Sequence, residues 1–111
     1  MIFPKKYDFK CYKGQTWRQS IFFKQNDEPI DLSGITAKSQ IRKEQNGHYI
    51  VADIDCTVNA SEGRITLSMS AETTSKINSG AYVYDVKCTD ENDEVTYYIY
   101  GNFNVIGRVT V

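Results

Sequence analysis

The chain has 111 residues, 41% of them hydrophobic and 24% charged, with a net charge of −1; that is enough for one packed core and too little for two. Near-neutrality argues against nucleic acid as the main partner, and no apolar run reaches the roughly 18–20 residues needed to span a bilayer. Met1 to Lys13 lacks the apolar centre of a signal peptide, so synthesis inside the cell is expected.

Charge is unevenly spread. Residues 1–24 hold six lysines and arginines against Asp8 alone, or +5, while the other seven basic and thirteen acidic side chains give −6. That polarity fits head-to-tail association or an acidic partner, and equally two plain solvated faces. At the N-terminus Lys5, Lys6, Tyr7, Phe9, Lys10, Tyr12 and Lys13 mix lysine with aromatics. Charge and stacking of this kind can hold single-stranded nucleic acid. The stronger reading is an edge strand kept from aggregating by its lysines, with Tyr7, Phe9 and Tyr12 as candidate interface residues.

Thr16–Lys24 alternates, with Trp17, Ile21 and Phe23 on one face and Phe22 as an apolar exception on the other. Asn26-Asp27-Glu28-Pro29 is turn chemistry. In Ile35–Arg42, Ile35, Ala37, Ser39 and Ile41 face one way. A polar break over Lys43–His48 places Gly47 at a positive-φ position. Tyr49–Val58 puts Ile50, Ala52, Ile54, Cys56 and Val58 inward, and Asn59–Gly63 reads as a hairpin loop before Ile65, Leu67 and Met69. Ser70 caps one or two helical turns over residues 70–77, with Glu72 favourable to the dipole.

Gly80–Cys88 turns Tyr82, Tyr84, Val86 and Cys88 to one side. An acidic turn over Thr89–Glu94 leads to Val95–Phe103, in which Val95, Tyr97, Ile99 and Phe103 are read as inward. Tyr98 and Tyr100 are read as outward, as candidate interface residues. Gly101 implies a bulge or a close backbone approach, and Val105–Val111 a last edge strand. Seven or eight strands, one short crossover helix and no βαβ spacing predict an all-β, antiparallel Ig-like sandwich spanning residues 1–111 as one domain.

Chemistry is sparse. His48 is the sole histidine, in a loop, so triad mechanisms hang on one solvated residue. Cys11, Cys56 and Cys88 have neither metal spacing nor a paired framework and read as small buried apolar residues. A zinc site lacks ligands, and Asp90–Glu94 lacks the ligand rhythm of an EF-hand. Asp53 and Asp55 share a strand face without the cleft that paired-carboxylate chemistry needs. No catalytic residue, cofactor or metal is expected. Tyr49 beside Asp53 and Asp55 leaves a glycan-binding module as an alternative.

The order Gly14-Gln15-Thr16-Trp17, Asp31-Leu32-Ser33-Gly34, Ser39-Gln40-Ile41-Arg42, Gly63–Ser68 and Gly80–Val86 resembles small tailed-bacteriophage virion proteins. It is similar to the immunoglobulin-like N-terminal domain of upper baseplate proteins from phages of Gram-positive hosts, over about Tyr7–Val111. The resemblance implies a structural component of the virion, made in the host cytoplasm, that joins neighbouring virion proteins in several copies of a symmetric assembly. It implies Trp17, Gly34, Tyr82, Tyr84 and Gly101 as structural residues. Tyr82 after Gly80 is placed for a tyrosine-corner hydrogen bond that pins a crossover. No long extension follows the resembling region, so an adaptor, plug or head-decoration role stands beside that of a fibre anchor.

Overall fold

A computed structural model describes residues 4–44 and 49–107; the expected Gly47 turn, His48 and positions 108–111 lie outside them. In chain order the elements are β1 (Lys5–Lys6), β2 (Phe9–Tyr12), β3 (Trp17–Phe22), β4 (Lys24–Gln25), β5 (Glu28–Pro29), β6 (Thr36–Arg42), β7 (Ile50–Asn59), β8 (Arg64–Met69), α1 (Ala71–Ser75), β9 (Gly80–Thr89) and β10 (Val95–Ile106). The protein is all-β. Eight strands form one sheet in the order β1-β10-β9-β6-β7-β8-β3, with β2 also on β10, while β4 and β5 make a separate ribbon.

The sheet curls because β7 serves two neighbours. Residues 50–54 pair with β6, after an irregularity between Ile41 and Arg42, and Asp55–Asn59 pair with β8. The strand therefore carries the sheet round on itself into a half-barrel. The concave side takes the alternating apolar residues: Ile41 from β6, Ile54 from β7, Ile65 and Leu67 from β8, and Tyr84 and Val86 from β9 are all buried. Each fully buried aliphatic or aromatic side chain of this kind contributes about 1.5–3 kcal/mol. Trp17 meets Phe9 and Phe103 edge-on, with ring centroids 5.4 and 4.9 Å away. That contact ties the first strands to the last.

Local chemistry closes the elements as the sequence leads one to expect. Ser70 caps α1 and accepts from Thr73 N. Asn26 and Asp27 both take positive φ, the geometry of the two-residue turn that joins β4 to β5. Ser33 donates from its N–H and hydroxyl to Asp31 Oδ1 at 2.9 and 2.6 Å, and Gly34 follows at φ 75°. Tyr82 Oη donates to the Asn78 carbonyl at 2.6 Å and so pins the passage from α1 into β9.

Five expectations need correction. Ile50, read as inward, is exposed, because the β6–β7 register passes from Ala52 to Ile50 and skips Val51. The N-terminal strands pair with β10 in parallel, whereas every other pairing of the described strands is antiparallel. No hairpin joins β2 to β10, so nothing forces them to run in opposite directions. Next, the two-stranded β4–β5 ribbon comes in addition to the expected seven or eight strands. Then, no separate strand begins at Val105, because β10 runs unbroken to Ile106. Finally, the register of β10 on β9 shifts between Tyr97 and Ile99. The extra residue there reverses the faces before it: Val95 and Tyr97 point outward, and Tyr98 joins Ile99 in the core.

Candidate interaction surface

The same bulge composes the outer face. On β10 the exposed large side chains are Val95, Tyr97, Tyr100 and Ile106, and Tyr7 and Tyr12 stand exposed on the N-terminal segment alongside. Tyr12 is the register partner of Ile106. Among the described residues, six of the nine exposed large hydrophobics thus lie along one strand and its neighbour. Such a strip costs solvation in an isolated protein and is what a partner covers in an assembly.

Across the face runs a row set by strand register: Lys6 beside Tyr100, then Asp85, Gln40 and Asp53. Gln40 Nε2 donates to Asp53 Oδ1 at 3.3 Å, and Arg42 Nη2 donates to Gln40 Oε1 at 2.9 Å. Lys6, Arg42, Asp85, Tyr100 and Asn102 border a shallow depression of about 210 Å³. Asp85 keeps one side open to water, yet the side chains of the flanking strands crowd it. That crowding raises its carboxyl pKa, opposed by the positive charges of Arg42 and Lys87. Aromatic rings among paired charged and amide groups form a surface suited to protein contact.

A clamp holds the N-terminal segment against this face. Tyr7 N donates to the Tyr100 carbonyl at 2.9 Å, and Tyr84 Oη donates to the Tyr7 carbonyl at 2.7 Å. Asn102 N finds Asp8 Oδ1 at 2.9 Å where the ladder is interrupted between β1 and β2. A Cβ at Gly101 would collide with the Tyr7 carbonyl oxygen. The glycine is therefore required by close approach, and the bulge it was read to imply falls just upstream.

Of the five candidate interface residues, Tyr7, Tyr12 and Tyr100 are exposed. Phe9 is turned inward between Trp17 and Tyr84, and Tyr98 is buried with its ring 5.2 Å from Phe23. Strict alternation missed Val95 and Tyr97, and β-bulges leave little trace in a single sequence. Trp17, Tyr82 and Tyr84 are buried in the core. At Gly34 the exposed side chain of Glu91 occupies the space of a Cβ but can swing aside, so it is the φ of 75° that calls for glycine there.

The cysteines sit in strands, Cys11 and Cys88 fully buried. Burial pushes the Cys88 thiol up to about 12, with a smaller push from Cys56, and raises Cys56 to about 11, with Asp55 adding to it. Cys11 is raised by burial as well. All three are thus protonated and poorly nucleophilic at neutral pH. Asp53 and Asp55 both stand exposed on β7, and Tyr49 is 77% exposed at its start.

A family model described as the BppU N-terminal domain matches residues 6–100. No curated protein sequence matches the chain. The fold matches 203 chains of known structure, so fold alone does not select a function. One is a family 123 glycoside hydrolase from Clostridium perfringens, studied for glycolipid glycan hydrolysis. It aligns with a TM-score of 0.62 at 10% identity, over 96% of this chain and 24% of the hydrolase. The chain spans about a quarter of that enzyme's length, and the likeness concerns fold alone.

Proposed function

The chain belongs to the family of baseplate upper protein N-terminal domains, and from that premise we propose that it is a non-enzymatic adaptor of the phage baseplate. A structural domain of this family works in the virion beside other virion proteins. In the proposed role it occurs in several copies and joins the particle to a neighbouring or fibre-bearing subunit through its outer β10 face. The observation that carries the reading is the strip of Val95, Tyr97, Tyr100, Ile106, Tyr7 and Tyr12, exposed along one strand and the segment beside it. Tyrosine is well suited to such contacts: its ring buries area while its hydroxyl keeps a hydrogen bond.

In the same proposal residues 1–111 make one Ig-like sandwich. Support comes from the way β7 passes from β6 to β8 and from the corner bond of Tyr82. The protonated thiols fit a role without catalysis.

The experiment is incorporation. Replacing Tyr97 and Tyr100 together by Ala should leave the isolated protein folded and sharply reduce its yield in purified virions. Normal incorporation of the double variant, or absence of the native protein from virions, would overturn the reading.

A further inference from the structure

The sheet has two ends, and they are defended differently. One is formed by β1 and β2: short, interrupted at Tyr7–Asp8, and studded with Lys5, Lys6 and Lys10. Lysines and interruptions are how an exposed edge is kept from pairing with another chain. The other end is β3, whose one partner among the described strands is β8. Its six residues follow β8 without a shift from Trp17 to Phe22, and they include no lysine, no proline and no bulge. In a seven-stranded sandwich the first strand covers this edge; here the N-terminal segment lies on β10 instead.

Side chains on β3 bear the same mark. Gln19 shares the inward face of Trp17 and Ile21, both buried, yet it is exposed. Phe22, on the outward face, is 49% exposed. An incoming strand would cover both. Such additions draw affinity from main-chain hydrogen bonds and specificity from alternate side chains.

We infer that β3 is the docking edge for β3 of a second copy, antiparallel and two-fold symmetric about Ser20, so that two sheets become one. The occupant is argued from self-complementarity. With the axis at Ser20, Arg18 of one copy lies across from Phe22 of the other, twice over, which sets a guanidinium against an aromatic ring. Ser20 meets its counterpart, and a hydroxyl that already exchanges a hydrogen bond with Thr66 at 3.0 Å has capacity for one more. Gln19 lies across from Ile21 and extends the inner face. No like charges are opposed. The inference stands on edge geometry and does not depend on the baseplate reading.

The test uses the purified protein. Sedimentation over a range of concentrations should show a monomer–dimer equilibrium, and amide exchange should slow at alternate residues of Trp17–Phe22 as concentration rises. Phe22→Lys puts a lysine opposite Arg18 and should weaken the dimer roughly tenfold or more, the effect of about 1.4 kcal/mol. Adding Arg18→Glu to Phe22→Lys pairs opposite charges at the same two positions and should restore it. Both sites are exposed, so melting of the monomer should hardly change. A monomer at every concentration overturns the inference, as does a dimer whose protection falls on β1 and β2 or whose strength ignores Phe22→Lys. None of these results bears on whether the protein is found in virions, so the two proposals fail separately.

Discussion

β9 and β10 lie side by side, both rich in tyrosine, and put that residue to opposite uses. On β9, Tyr82 and Tyr84 follow unbroken alternation into the core, and each hydroxyl reaches a main-chain carbonyl, of Asn78 and Tyr7 respectively. On β10, one extra residue sends Tyr97 outward and Tyr98 inward and leaves Tyr100 on the surface. A buried tyrosine needs a partner for its hydroxyl; an exposed one has water until another protein arrives. The residue type thus says little about role, and the register decides it.

The largest expected effect tests the bulge itself. Tyr98→Ala should destabilise the protein by about 3 kcal/mol or more, the scale of removing a large buried ring. Tyr97→Ala, one residue away, should change stability by no more than about 0.5 kcal/mol. Urea unfolding of the two variants measures the difference, and equal costs would mean that the register of β10 has been misassigned.

Gly101→Val probes the clamp shared by the two strands. Its side chain would displace the Tyr7 carbonyl from Tyr84 Oη, at about 1–3 kcal/mol for overpacking. Asn102→Ala next to it faces outward and should be nearly silent in the same measurement. Smaller effects should follow from Tyr82→Phe and Tyr84→Phe, each about 1–1.5 kcal/mol, the net value of one hydrogen bond. Tyr100→Phe, on the exposed side of the comparison, should leave the melting temperature unchanged. A silent Tyr82→Phe would count against the corner.

Alkaline pH is the gentlest probe. Burial lifts the Cys88 thiol from its ordinary 9.0 to about 12 and the Cys56 thiol from 9.0 to about 11. Above pH 9 the unfolded chain therefore releases these protons before the folded one does. Their contribution to stability is whole below that pH, declines as pH rises, and is gone by about pH 12. Cys88→Ala should flatten the decline between pH 9 and 11, as read by denaturant midpoints at each pH. An unaltered slope would show that burial of Cys88 does not control that titration.

Much of this fold is legible in the sequence wherever alternation runs unbroken against a single neighbour on each side. β6, β8 and β9 meet that condition, and Ile41, Leu67 and Val86 lie inward as read. Ser70 and Tyr82 are legible because their bonds reach only three and four residues along the chain. What escapes depends on distant partners. The parallel pairing of β2 joins residues more than ninety positions apart, and the division of β7 between β6 and β8 has no local signature. The bulge of β10 is equally hidden, and with it a third of the exposed strip: plain alternation points Tyr98 rather than Tyr97 outward and places Val95 in the core. Phe9 was misjudged because lysines around it mark an edge but do not say which face of the edge is covered.

The claim on which the account turns is that the outer face of β10 is covered by another protein when the particle is assembled. Cryo-electron microscopy of the intact virion reads it directly. The account predicts Tyr97 and Tyr100 packed against a neighbouring subunit at the baseplate, with Tyr98 enclosed in the domain's own core. Bulk solvent over both exposed tyrosines in the assembled particle would contradict it.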